Sequence, residues 1–300
     1  MRSAFYKTRE TIYIRTTANQ RIARILILRN RLLRALLLIC ATAAVTIVPA
    51  APAWADEGIL PNKFMLRLGG YAIQGADTIV RLDAENAVGA YLDFQETLGG
   101  DTRATVFRLD SLYRFNDHHA LGFAWYEVKF AGSRVLSNDI EWGGITYPVN
   151  TQVDSKLQFD VYKLNYQYSL FHNEEAELGA SLGFHIMRVF TGISASGGSQ
   201  SRSKASNTPL PVWGLFADYN FTSRFSIYYN YQFFFINYSD NVSGGLQDFL
   251  FGLEYRLLRN VALGAAYNRF SVKAEIKKDV ATLNLDTSWN GGMLYGSVYF

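Results

Sequence analysis

The chain has 300 residues, a formal net charge of +3 and 15% aromatic side chains, with 19 Tyr and 21 Phe against only 6 Pro. The basic excess is confined to residues 1–55, which hold 9 of the 29 Lys/Arg and one acid, Glu10. The other 20 basic side chains face 25 acidic ones, so nucleic-acid binding gains no support. The only cysteine, Cys40, lies in the same stretch, which excludes disulfides and cysteine metal sites from the rest.

The first element predicted is a leader. Arg29, Arg31 and Arg34 precede an apolar run, Ala35 to Val48, of about 14 residues, shorter than the roughly 20 of a spanning helix. Ala53-Trp54-Ala55 then fits the small-x-small rule for cleavage. Residues 1–55 are expected to be a cleaved signal peptide, with a mature start near Asp56. An uncleaved anchor is the alternative, and the long arginine-rich start also fits a mitochondrial transit peptide. Ile39 before Cys40 speaks against a lipoprotein site.

Residues 56–300 alternate at period two, the signature of strands exposed on two unlike faces. In Tyr162 to Leu170 the even positions are apolar. In Phe225 to Phe233 and in Phe249 to Leu257 the odd positions are apolar. Phe107, Leu109, Tyr113 and Phe115 oppose Arg108, Asp110 and Arg114, and Leu178 to Ile186 oppose Glu177, Ser181 and His185. A soluble sandwich would alternate too. Two features favour a membrane instead: the apolar faces are aromatic near strand ends, and the connections alternate in length. Short turns fall at 116–119, 171–175, 222–224 and 258–260. Longer polar loops are expected at 131–152, 194–208, 239–245 and 276–279. Strands are therefore expected near 63–74, 102–115, 120–131, 153–170, 176–193, 209–221, 225–238, 246–257, 261–276 and 280–300. Residues 75–101 either extend the first hairpin or form two further strands. Within them Tyr91 to Gly100 could fold inward as a cap. Residues 194–208 read as a mobile surface loop, and Ile140, Trp142, Ile145 and Tyr147 mark the 131–152 loop for an external contact or for folding over the barrel mouth.

The last element, Gly291 to Phe300, places Phe300, Val298 and Leu294 on one face. Gly291-Gly292 suggests a bulge. A closing strand ending in Phe resembles that of bacterial outer-membrane β-barrel proteins, in which it serves as the insertion signal. The resemblance covers the mature chain. It implies a location in the Gram-negative outer membrane, partners in outer-membrane lipid and the barrel-assembly machinery, and Phe300 as the recognition residue. The fold expected is all-β, an antiparallel transmembrane β-barrel of about ten strands, with twelve as the alternative. Closure follows because lipid offers no hydrogen-bond partners to an open edge.

No catalytic, cofactor or metal motif is present. Barrel enzymes of this membrane, such as omptin-like proteases, depend on a histidine near the outer side or facing lipid. Here His118, His119 and His172 fall in predicted short turns. His185 faces the lumen, about 13 Å along its strand from Ser181, too far for nucleophile activation. The candidate constellation is a set of inward charges. Arg67, Arg114, Arg256, Glu177, Asp218 and Glu254 are expected near the periplasmic mouth, with Arg108, Asp110 and Lys163 further up. They could line a pathway for small ions, or pair as a plug that fills a narrow barrel. The leading expectation is a non-enzymatic structural or surface-interaction protein. A narrow porin-like channel for small solutes comes second and an envelope lipid-modifying enzyme third.

Overall fold

The computed structural model describes residues 63–84, 87–142, 145–195, 201–238, 242–278 and 281–300. The expected leader and its cleavage point lie outside them. In chain order the elements are β1 Phe64–Ala84, β2 Ala87–Asp93, α1 Phe94–Leu98, β3 Ala104–Arg114, β4 His119–Val135, β5 Ile140–Trp142 and β6 Ile145–Tyr147. There follow β7 Gln152–His172, β8 Ala176–Ala195, β9 Ser201–Asn220, β10 Phe225–Tyr238, β11 Val242–Leu258, β12 Val261–Lys278 and β13 Ala281–Tyr299. β1, β3, β4 and β7 to β13 pair antiparallel in sequence order, and β13 returns to β1, which closes a ten-stranded barrel. The closing ladder runs from Met65–Tyr299 to Ala84–Ala281. At its lower end Phe64 and Phe300 exchange two backbone hydrogen bonds of 3.1 and 2.8 Å.

The alternation dictates the two faces. Leu121, Phe123, Tyr162, Leu164, Leu182, Phe184, Leu253 and Leu294 are exposed on the outside, and their sequence neighbours Ala124, Lys163, Ser181, Glu254 and Met293 are buried in the lumen. Tyr113, Phe115, Tyr168, Tyr219, Phe221, Tyr255 and Phe300 form an exposed aromatic girdle at the end with short turns, the periplasmic end of such a barrel.

The strands are longer than the membrane needs. β1 and β7 have 21 residues each, where about 9–11 cross a bilayer. Above the lipid-facing band the alternation changes phase. On β7, Tyr162 and Leu164 point out, but Leu157, Phe159 and Val161 point in, opposite outward Lys156 and Gln158. The same switch occurs at Trp125-Tyr126 on β4 and Ile186-Met187 on β8, where Tyr126, Val128, Phe130 and Met187 are buried. The upper barrel thus wears its polar face outside and encloses an apolar core, like a soluble barrel stacked on a membrane one.

Several expectations are corrected. Residues 201–208 belong to β9 and pair with β8 as far as Ser194–Ser201. Residues 242–245 belong to β11 and 276–278 to β12. Polar sequence does not prevent strand extension there, because the backbone ladder itself supplies the bonds. The irregularity near the last strand lies in β1, between Ile73 and Gly75, opposite Gly291 and Asn290. Gly291 is needed for a different reason: a Cβ there would lie 2.1 Å from the Ala72 carbonyl oxygen.

Residues 75–101 extend the first hairpin. β1 continues upward and β2 pairs with its upper half, from Ile79–Asp93 to Ala84–Ala87. α1 then caps the barrel, with Phe94 and Leu98 buried. Its ends carry their own signals. The Asp93 carboxylate accepts from the Glu96 N–H at 2.6 Å, and Gly99 takes the left-handed conformation with φ 65°. The Thr78 N–H donates to Gln95 Oε1 at 2.9 Å, and Arg134 donates to the Glu96 carbonyl, which fastens the cap to β1 and β4. The β5–β6 hairpin folds over the same mouth. Tyr147 is fully buried and its hydroxyl donates to the Ile193 carbonyl at 3.1 Å, while Ile140, Trp142 and Ile145 pack on the core.

Candidate functional site

The lumen below the phase switch gathers the inward charges from β1, β3, β7, β8, β9 and β11. At the periplasmic mouth Arg67 Nη2 of β1 donates to Glu254 Oε2 of β11 at 3.2 Å. Ser297 donates to the same oxygen at 2.9 Å, and Tyr299 donates to the other carboxylate oxygen. The Arg67 guanidinium lies 4.1 and 4.5 Å from the ring centres of Tyr228 and Tyr295, and that of Arg256 lies 4.9 Å from Tyr299. Across the mouth Arg114 Nη2 of β3 donates to Glu177 Oε2 of β8 at 2.6 Å, and Ser169 donates to that carboxylate as well.

A second layer sits above. Arg108 holds Asp110, two residues along β3 and on the same face, with Nε at 3.0 Å and Nη2 at 2.9 Å. Arg108 Nη1 donates to Asn268 Oδ1 at 3.1 Å, and Asn268 Nδ2 donates to Asp248 Oδ1 at 2.8 Å. Lys163 of β7 pairs with Asp248 of β11. His185 Nε2 lies 2.6 Å from Gln232 Oε1, and its ring stacks on Phe270 at 6.3 Å. The histidine is thus engaged in the lumen network.

Arg67–Glu254, Arg114–Glu177 and Lys163–Asp248 therefore pair across the lumen and Arg108–Asp110 pairs along β3, which is what burial of a charge demands. Arg256 lies over the Tyr299 ring instead, and Asp218 is the exception. It has neither ion pair nor hydrogen bond among the described residues and lines a cavity of about 130 Å³ with Arg67, Lys163, Asn230 and Asp248. Asp248, Asn268 and Gln232 were not singled out from sequence, although the even-numbered inward faces of β10, β11 and β12 point to them. Asp248 was missed because it stands just after an expected loop and has Gln247 as its neighbour. Lys163 turns to Asp248 because Arg108 already occupies the Asp110 carboxylate.

The upper lumen is closed by aromatic packing. Trp289 is 1% exposed and stacks on Phe270 at 4.5 Å, with Phe159 at 5.1 Å. Tyr71 meets Tyr126 edge-on at 6.1 Å. Val128, Phe130, Leu157 and Leu246 fill the space around them. Sequence reasoning placed charges near the periplasmic mouth and somewhat above it and does not show this apolar storey. Among the described residues no three His, Cys, Asp or Glu side chains are grouped as metal ligands.

No family model matches the sequence, and no curated protein matches it. Solved structures do. The chain is similar to the outer membrane protease OmpT of Escherichia coli, at 9% identity and a TM-score of 0.50, over 82% of this chain and 100% of that one. OprG of Pseudomonas aeruginosa matches at 14% identity and TM-score 0.33, over 78% and 94%. Ail of Yersinia pestis matches at 13% and 0.29, over 79% and 99%. The fold is that of the bacterial outer-membrane β-barrel proteins, and the exposed apolar belt is the surface by which such a barrel sits in the outer membrane.

Proposed function

We propose that this barrel is a non-enzymatic outer-membrane protein whose lumen is a structural plug and whose upper storey is a rigid platform at the cell surface. The observation that carries this reading is the apolar packing around Trp289, Phe270 and Phe159, capped by α1 and the β5–β6 hairpin. A porin-like pathway needs a wetted lumen from end to end, whereas here the paired charges are roofed by side chains. The platform part is supported by strands that rise past the lipid-facing band with charged outer faces. Examples are Lys129 with Glu127 at 2.6 Å and Lys273 with Asp286 at 2.7 Å. His118, His119 and His172 lie at the short-turn end, away from that platform, and His185 is engaged in the lumen, so no histidine stands where surface chemistry would need one. The barrel's partners are then outer-membrane lipid and, during insertion, the barrel-assembly machinery acting on the strand that ends at Phe300.

Planar-bilayer recording of the purified barrel tests this. The reading expects a silent membrane, and steady unitary current steps from wild-type protein would replace it with the narrow-channel reading.

A further inference from the structure

The barrel wall is not sealed at every height. β9 and β10 pair only from Asn220–Ser226 up to Trp213–Phe233. Above that rung β9 stays paired with β8 as far as Ser201, and β10 with β11 as far as Tyr238. The two strands part company. The cause is legible in the backbone. Asn220, inward, donates its N–H on the β8 side, to Glu175; Phe221, outward, donates on the β10 side, to Phe225. Outward odd-numbered residues of β9 are therefore the donors to β10, and the next two above Trp213 are Pro211 and Pro209, which have no N–H. Both sit at positions where β8 asks nothing of them.

The seam this opens is apolar. Trp213 and Phe235 beside it are 59% and 63% exposed. Ile236 has the parity of a lumen residue yet is 39% exposed, and Leu210 and Phe234 behind it pack on the upper core. The seam begins within the lipid-facing band, where Pro211 and Pro209 pair with outward Phe184 and Ile186 of β8, and is continuous with it. Two missing donors also lower the cost of setting hydrocarbon against that edge, where unsatisfied N–H groups would be penalised.

We propose that the β9–β10 seam is a lateral docking site for one acyl chain of an outer-leaflet lipid, which lies between the parted strands against Leu210, Phe234 and Ile236. The site goes beyond the plug-and-platform reading and stands or falls separately from it, since a silent barrel can hold a lipid at its wall.

The test uses the purified barrel in phosphatidylcholine vesicles that contain a phosphatidylcholine with a diazirine near one acyl terminus. After photolysis, adducts are mapped by peptide mass spectrometry. Adducts are expected on Leu210, Phe234 or Ile236 as well as on lipid-facing Leu182. In the double variant P209T/P211V, which restores both donors, the seam adducts should fall at least about fivefold while Leu182 is unchanged. If that variant does not assemble, Ile236→Asn should produce the same fall at Leu210. Adducts confined to Leu182, or seam adducts equal in wild type and the variant that assembles, would overturn the proposal.

Discussion

Lys163 and Leu164 are adjacent on β7 and face opposite surroundings. Lys163 is 4% exposed and paired with Asp248, while Leu164 is 45% exposed on the lipid side. Leu164→Arg should destabilise the barrel by about 2–4 kcal/mol, the penalty of a charge at mid-membrane. Sequence parity alone suggests that Lys163→Gln is mild, because lumen positions tolerate polarity. The pairing changes that expectation. Removing one partner of a buried pair strands the other, at a cost of about 3–5 kcal/mol. The double variant K163Q/D248N should recover part of the loss, since neither charge is then left alone. Equilibrium urea unfolding in lipid vesicles measures all three. A neutral Lys163→Gln would mean that Asp248 finds its compensation elsewhere. Trp289→Ala, which removes the centre of the upper stack, should cost about 3–5 kcal/mol by the same assay.

At the scale of elements, what sequence conveys well is period and parity. Tyr162 to Leu170 and Phe225 to Phe233 show at sight which side chains meet lipid, and the ten strands follow from such runs. The phase switch was also present, in adjacent apolar pairs such as Val161-Tyr162 and Ile186-Met187. It reads as noise unless one expects a membrane barrel to continue as a soluble one. Strand ends were hidden for another reason. Ser201 to Thr208 has the composition of a loop, and only its β8 partner makes it a strand. The cap was foreseen in place but not in form. α1 has only five residues and depends on its ends and anchors, because so short a helix cannot hold itself. Asp93→Ala should remove the N-cap bond and cost the cap about 1 kcal/mol. Amide exchange at Gln95 to Leu98 should then quicken while exchange in β7 stays slow. Uniform quickening would show that the cap and barrel unfold together. At the closing seam, Phe300 exchanges backbone bonds with Phe64 and their rings lie 6.0 Å apart. Deleting Phe300 should lower the yield of assembled barrel, and Phe300→Tyr should be mild. Normal outer-membrane levels after deletion would remove Phe300 from the account of closure.

For the whole molecule, the inward charge set could be named from sequence, but its meaning could not. Parity puts Arg114 and Glu254 inside without saying that each is matched across the barrel, or that Trp289 and Phe159 close the space above. Pairings between strands far apart in sequence, such as Arg67 with Glu254, depend on the register around the closed sheet. The central claim is that one barrel carries two storeys of opposite polarity, with lipid outside and charge inside below, and water outside and an apolar core inside above. β7 crosses both storeys. The only native cysteine is Cys40, so with Cys40→Ser in place single cysteines from Lys156 to Tyr168 can be spin-labelled one at a time in vesicles. The account predicts oxygen accessibility at 162, 164, 166 and 168. It predicts accessibility to a water-soluble nickel reagent at 156, 158 and 160, and to neither at 157, 159 and 161. Nickel accessibility at 157, 159 and 161 would mean a wetted upper lumen and would contradict the two-storey barrel.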